Sequence, residues 1–153
     1  MSRDFRIAAP SAATLPAWRQ MRQALWPEMT EEENTRETEA MMVEGPRFFV
    51  RIASNAEGRA AGFAEATLRS DYVNGCVSSP VVFLEGIYVE PWARRRGLAR
   101  LLADAVGIWG QQHGCREFAS DALTENGESH AMHRALGFEE TERVVYFRKI
   151  LGI

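Results

Sequence analysis

Apolar positions recur along this chain with two periods, one of two residues and one of three to four, and their succession predicts its elements. Residues 4–8 alternate as a strand does, and Thr14 then precedes Leu15, Trp18, Met21 and Leu25, a stripe at helical spacing with Thr14 as its cap and Pro27 as its stop. Thr30 and Glu33 have the spacing of a capping box ahead of a second helix that runs toward Met42 and stops at Gly45 and Pro46. Residues 47–53 and 60–69 read as β-suited runs around a turn supplied by Asn55 and Gly58, which makes an antiparallel hairpin. The most apolar run, Val81 to Val89, has the length and branching of a buried central strand closed by Pro91.

Downstream, Leu98, Leu101, Leu102, Ala105 and Trp109 share one helical face, with Gly114 just past its end. A strand over 116–121 follows, then a short helix capped by Asn126 and ending at Leu136 and Gly137, then one or two final strands over 138–150. The order is one strand, two helices, three strands, a helix, a strand, a helix and a last strand or pair. It predicts an α/β (α+β) fold, a mixed sheet with helices on both faces.

Within that frame two features carry chemistry. The first is the turn at Arg94, Arg95 and Arg96, which runs into Gly97, Leu98 and Ala99 between the apolar strand and the long helix. A helix start leaves backbone N–H groups unpaired and is electropositive, Gly97 admits an anion close to the backbone, and the guanidinium groups add charge-assisted donors. The alternative is a solvated basic loop. The glycine-rich signatures of dinucleotide and nucleoside triphosphate sites are missing.

The second feature is Glu85, an acid inside the most apolar strand, where an ionised carboxylate needs a partner or a task. Gly86 after it marks a bulge able to peel two strands apart. Asp121, at the end of the strand over 116–121, reads on its own as a turn or cap residue or as a functional acid.

Composition narrows the partners. The chain has 153 residues, 46% hydrophobic and 25% charged, with a net charge of -3, and predicts one domain over residues 1–153. The acidic balance argues against nucleic acid as a partner, and the first thirty residues contain no apolar run of the length of a signal core or membrane span. Cys76 and Cys115 are too few for a disulfide framework, so a cytoplasmic protein with two reduced thiols is expected. His130 and His133 share a helical face, but no third ligand at a defined spacing makes them a metal site.

The motif Arg94-x-x-Gly97-x-Ala99 after a strand, together with Asn126 followed eleven residues later by Gly137-Phe138, resembles the coenzyme-binding and late-helix signatures of the GNAT superfamily of N-acetyltransferases. The segments around Tyr72, Val81–Val89, Asp121 and Phe138–Phe147 are similar to the aminoglycoside 6'-N-acetyltransferases within it. The resemblance implies a mainly antiparallel sheet with a splay between the central strands and acetyl-coenzyme A as co-substrate. Coenzyme contacts are implied at Ile87, Tyr88, Val89, Arg94, Arg95, Arg96, Gly97, Leu98, Ala99, Asn126 and His133. A backbone N–H near Val89 is expected to receive the charge that develops on the thioester oxygen.

For the acceptor, the resemblance implies Trp26, Tyr72, Glu85, Asp121 and Glu142, with Asp121 across the splay from Glu85; paired acids there suit a cationic amine, both in binding it and in removing its proton. Trp26 reads equally as a core aromatic at a helix end. Met29 stands where a histidine is expected in close relatives. The position that carries a tyrosine acid in many members is His133 here, with Tyr146 as the second candidate acid or else a core-facing strand residue. The expected activity is acetyl transfer to the 6'-amine of an aminoglycoside by a homodimer. Acetylation of another primary amine, or acyl-coenzyme A binding without catalysis, are the alternatives.

Overall fold

A computed structural model describes residues 4–43 and 45–152. The chain divides into two compact units, Met1–Asp121 and Ala122–Ile153.

The first unit holds a five-stranded sheet in the order β1-β2-β3-β4-β5, made of β1 (Phe5–Ala8), β2 (Phe48–Asn55), β3 (Ala60–Arg69), β4 (Val81–Val89) and β5 (Phe118–Ser120). The first four strands pair antiparallel and β5 joins β4 in parallel. Side-chain alternation divides the core between two faces. On one, α1 (Leu15–Leu25) packs Trp18 and Met21 against Val50, Ile52 and Phe63. On the other, α3 (Leu98–Gln112) packs Leu98, Leu102 and Val106 against Ala53, Ala61, Ala64 and Ala66, whose small side chains let the helix lie close.

Local sequence explains most element ends. At α2 (Glu31–Val43) the capping box forms in both directions: the Glu33 amide donates to the Thr30 hydroxyl and the Thr30 amide to the Glu33 carboxylate, each at 3.1 Å. Thr14 is the N-cap residue of α1, yet its hydroxyl caps no helical amide and bonds Ser11 instead. The β2–β3 turn is closed by the Asn55 side chain, which accepts from the amides of Glu57 and Arg59.

β4 spans the expected residues and carries the expected bulge. Glu65 of β3 stands opposite Gly86 and Ala66 opposite Leu84, so Glu85 is the extra residue, with no partner across the ladder. On its other side β4 pairs with β5 only from Val82↔Phe118 to Leu84↔Ser120. Beyond that point β5 has ended and β4 continues, and the two strands part.

The second unit contains α4 (Gly127–Ala135), capped by Asn126, whose side chain accepts from the Ser129 amide at 3.2 Å. Gly137 follows at φ 95°, as the sequence suggested. The final strands are a correction: residues 138–152 have no regular structure and are mostly exposed. Alternation provides a strand with a face, but a strand also needs a neighbouring edge to take its N–H and C=O groups, and none pairs with this segment among the described residues.

Candidate active site

The bulge decides where the Glu85 carboxylate goes. The sequence implied a buried acid; the structure corrects this, since the side chain keeps 33% of its surface and its Oε1 accepts from the Thr67 hydroxyl at 2.7 Å and the Arg69 guanidinium at 2.8 Å. Asp121 immediately follows β5 and is exposed, so β5 is shorter than expected and the acid lies just outside it. Because Leu84 pairs with Ser120, Glu85 and Asp121 are the next residues along their strands where these separate. The two acids therefore flank the start of the splay.

Past the bulge the backbone donors turn toward the gap. The Glu90 amide bonds Ala61 of β3 at 2.8 Å. Ladder bonds alternate, so Ile87 and Val89 aim their backbone groups the other way, to the side where β5 has ended. The Val89 carbonyl is indeed used on that side, accepting from Arg94 Nε at 2.9 Å. Tyr88 points to the α1 face and stacks near Phe63.

At the arginine turn, Arg95 and Gly97 both take left-handed backbone, φ 65° and 76°, and Arg94, Arg95 and Arg96 are exposed. Gly97 is the N-cap of α3 and offers no side chain to it, and the first helical turn holds no acid. The amides of Leu98 and Ala99 are thus presented as an anion site beside three guanidinium groups. Arg94 differs from the simple expectation in that one of its nitrogens braces the end of β4.

Trp26 is held on several sides. It is the C-cap of α1, Gln23 ties the following turn by donating to the Met29 carbonyl at 2.7 Å, and the ring meets Phe63 edge-on at 6.2 Å. A Cβ on Gly86 would lie 2.6 Å from this ring, so the bulge glycine is what lets Trp26 rest on β4 beside Glu85. Tyr72 stands 77% exposed on the loop between β3 and β4. That loop is anchored beneath it by Val73, buried with Val81 and Phe83, and by Glu117, which accepts from the amides of Val77 and Ser78.

One charged group near the site escaped the sequence reading. Glu65, 4% exposed at the side chain, accepts from Arg22 Nε at 2.7 Å and Trp18 Nε1 at 2.9 Å. Arg22 also bonds Asn34 and Glu37 and lies 5.0 Å from the centre of the Trp26 ring. Burial, the largest influence on both partners, pushes the Glu65 carboxyl up; for Arg22 it is outweighed by Glu65 and Glu37, and the guanidinium ends above its ordinary value. The signal was available: Arg22 interrupts the apolar stripe of α1 four residues after Trp18, and Glu65 stands among alanines in a strand as conspicuously as Glu85 does.

The remaining candidates belong to the second unit. His133 Nδ1 is 2.6 Å from the Ser129 carbonyl within α4, and its ring meets Phe138. Glu142 and Tyr146 lie in the exposed C-terminal segment, which corrects the view of Tyr146 as a core-facing strand residue. Among the described residues no three His, Cys, Asp or Glu side chains are grouped to hold a metal ion. Cys76 and Cys115 are free thiols that burial holds above their ordinary pKa, which leaves neither activated as a nucleophile.

A bulged strand that parts from its parallel neighbour, followed by an arginine turn and a glycine-capped helix, is the frame of a coenzyme A-dependent acyl transferase. The chain belongs to the acetyltransferase (GNAT) family, whose profile it matches over residues 15–138. Aminoglycoside N(6')-acetyltransferase type 1 of Salmonella typhimurium is 49% identical over 135 residues, covering 88% of this chain and 92% of that protein. The protein of the same name from Stenotrophomonas maltophilia is 49% identical over 144 residues, covering 94% and 91%. Among solved structures, AAC(6')-Iy in complex with the bisubstrate analogue CoA-S-monomethyl-acetylneamine superposes with a TM-score of 0.89 at 47% identity, over 96% of this chain and 99% of that one.

Proposed function

We propose that the protein transfers the acetyl group of acetyl-coenzyme A to the 6'-amine of aminoglycosides, and so confers resistance to them. The observation that carries this reading is the splay beside Glu85 and Asp121, found in a chain 49% identical to enzymes named for that reaction. Acetyl-coenzyme A brings an acyl group already activated as a thioester, so no metal is required.

The chain's own residues then have definable work. Arg94, Arg95 and Arg96 with the amides of Gly97, Leu98 and Ala99 hold the phosphates, and the backbone of Ile87 and Val89 lines the arm, while a coenzyme contact from Tyr88, whose ring lies on the α1 face, rests on the family resemblance. Glu85 and Asp121 bind the ammonium groups of the acceptor and take up the proton that blocks attack, directly or through water. The Val89 amide donates to the thioester oxygen as negative charge grows there, a contribution of about 3 kcal/mol to the barrier. Trp26 and Tyr72 supply apolar faces for the sugar rings. Roles for Asn126 and His133 at the coenzyme, for Glu142 at the acceptor and for Tyr146 as an acid rest on the family resemblance.

A homodimer belongs to the same reading. Its support is the C-terminal segment, where Val145, Tyr146, Phe147, Ile150 and Leu151 are each at least three-quarters exposed, an apolar run that water does not favour. A second copy provides both a strand edge and an apolar cover for it. Among the described residues no helix is long and apolar enough to cross a membrane; a reducing, cytoplasmic location fits the two free thiols.

The deciding experiment follows thiol release from acetyl-coenzyme A on adding tobramycin or kanamycin, with spermidine and a peptide amine in parallel. Saturable release with the aminoglycosides and a product acetylated at the 6'-nitrogen are expected. Release with the other amines alone would keep the enzyme class and overturn the acceptor, and silence with all of them would leave a coenzyme-binding module.

A further inference from the structure

We propose that Thr67 and Arg69 are positioning residues for Glu85: they fix one oxygen of its carboxylate and leave the other for the acceptor's ammonium group. The proposal rests on the reading of Glu85 as an acceptor-binding acid.

The need for such a device follows from the bulge. As the extra residue of β4, Glu85 has no cross-strand partner to set its direction, and a glutamate side chain has three rotatable bonds. Both donors come from β3. Thr67 and Arg69 are two residues apart and share a face of that strand with Glu65. The Thr67 hydroxyl at 2.7 Å and the Arg69 guanidinium at 2.8 Å converge on the same atom, Oε1. Arg69 is itself placed, its guanidinium carbon lying 3.6 Å from the centre of the Phe83 ring. A carboxylate oxygen accepts about two bonds, so Oε1 is saturated and Oε2 retains its capacity.

A surface salt bridge alone would not require this arrangement. With Arg69 42% and Glu85 33% exposed at the side chain, solvent screening leaves the pair a small share of stability. Its value lies in direction: an acid already rotated toward its substrate loses less freedom on binding.

Steady-state kinetics with tobramycin and acetyl-coenzyme A test this on Thr67→Val, Thr67→Ser, Arg69→Met, Glu85→Gln and the double variant Thr67→Val/Glu85→Gln, with thermal melts confirming folding. Thr67→Val keeps the shape and removes the donor, and a roughly five- to tenfold loss in kcat/KM for tobramycin is expected, the scale of one hydrogen bond. KM for acetyl-coenzyme A stays unchanged, Thr67→Ser retains activity, and Arg69→Met loses at least as much as Thr67→Val. In the Glu85→Gln background Thr67→Val adds little, because it acts through Glu85.

Normal tobramycin kinetics in both Thr67→Val and Arg69→Met, beside a damaged Glu85→Gln, would sink this proposal and leave the role of Glu85 standing. A Thr67→Val penalty undiminished in the double variant, or tighter tobramycin binding in Arg69→Met, would do the same, the latter by making Arg69 a competitor of the substrate. A fully active Glu85→Gln would overturn the reading of Glu85 and this proposal together.

Discussion

Two arginine–glutamate pairs meet at β3, one joining Glu65 to Arg22 of α1 and the other joining Arg69 to Glu85 of β4, and they differ in nearly everything but chemistry. Arg22 and Glu65 are 3% and 4% exposed, and Trp18, Asn34 and Glu37 complete their bonding. Arg69 and Glu85 are partly in water, bonded through a single carboxylate oxygen. Glu65 borders the bulge but keeps a partner on each side, Val50 and Gly86, while Glu85 is the extra residue that has none. The comparison teaches that an acid in a strand keeps a free carboxylate oxygen when it is itself the unpaired residue of a bulge. An acid that keeps its ladder partners under a helix is used up by its neighbours.

The largest effect should come from breaking the buried pair. Arg22→Met strands the Glu65 carboxylate without water or cation and should cost about 3–5 kcal/mol, a drop in melting temperature on the order of 10 °C. Arg22→Met with Glu65→Leu should recover part of that loss, since an apolar pair replaces a charged one, although Trp18 Nε1 loses its acceptor. If the single variant melts like the parent, the buried pair carries no structural load.

Next comes the glycine that joins the two regions. Gly86→Ala places a methyl group against the Trp26 ring and should cost about 1–3 kcal/mol in thermal stability, with a larger KM for the acceptor than for the coenzyme. A crystal structure of the variant with Trp26 undisplaced would contradict the contact.

The half-exposed pair sharpens the contrast from the other side. Arg69→Met should change stability by less than about 1 kcal/mol while changing acceptor kinetics. Equal losses of stability on removing Arg22 and Arg69 would erase the distinction between the pairs.

The smallest effect concerns a third acid, Glu117, held by a loop rather than by an arginine. The Ser78 hydroxyl, then the Val77 and Ser78 amides, keep its carboxyl below the usual range. A depressed folded-state value means that the stabilisation is present above the unfolded value, about 4.3, and is lost as pH falls through the folded one. The amide resonances of Val77 and Ser78 should therefore move below about pH 4, and invariance down to pH 2 would count against the clamp.

Elements whose reasons are local were legible in the chain. The capping box of α2, the Asn55 turn, the bounds of β4, the Asn126 cap and the glycine after α4 each depend on a few neighbouring residues, and the structure contains them all. The bulge was legible for the same reason, through Gly86 beside an acid. The C-terminal strands were misread because alternation reports a face and says nothing about an edge to pair with.

By itself, then, the sequence determined the strand and helix order, the arginine turn and the two acids of the splay, because periodicity, caps and short motifs act over a few residues. Only the tertiary structure decided that Glu65 is spent on Arg22 while Glu85 is held by Thr67 and Arg69. Those partners lie 43, 18 and 16 residues apart in the chain. Which acid stays available is a matter of register and burial, and neither exists until the strands have paired.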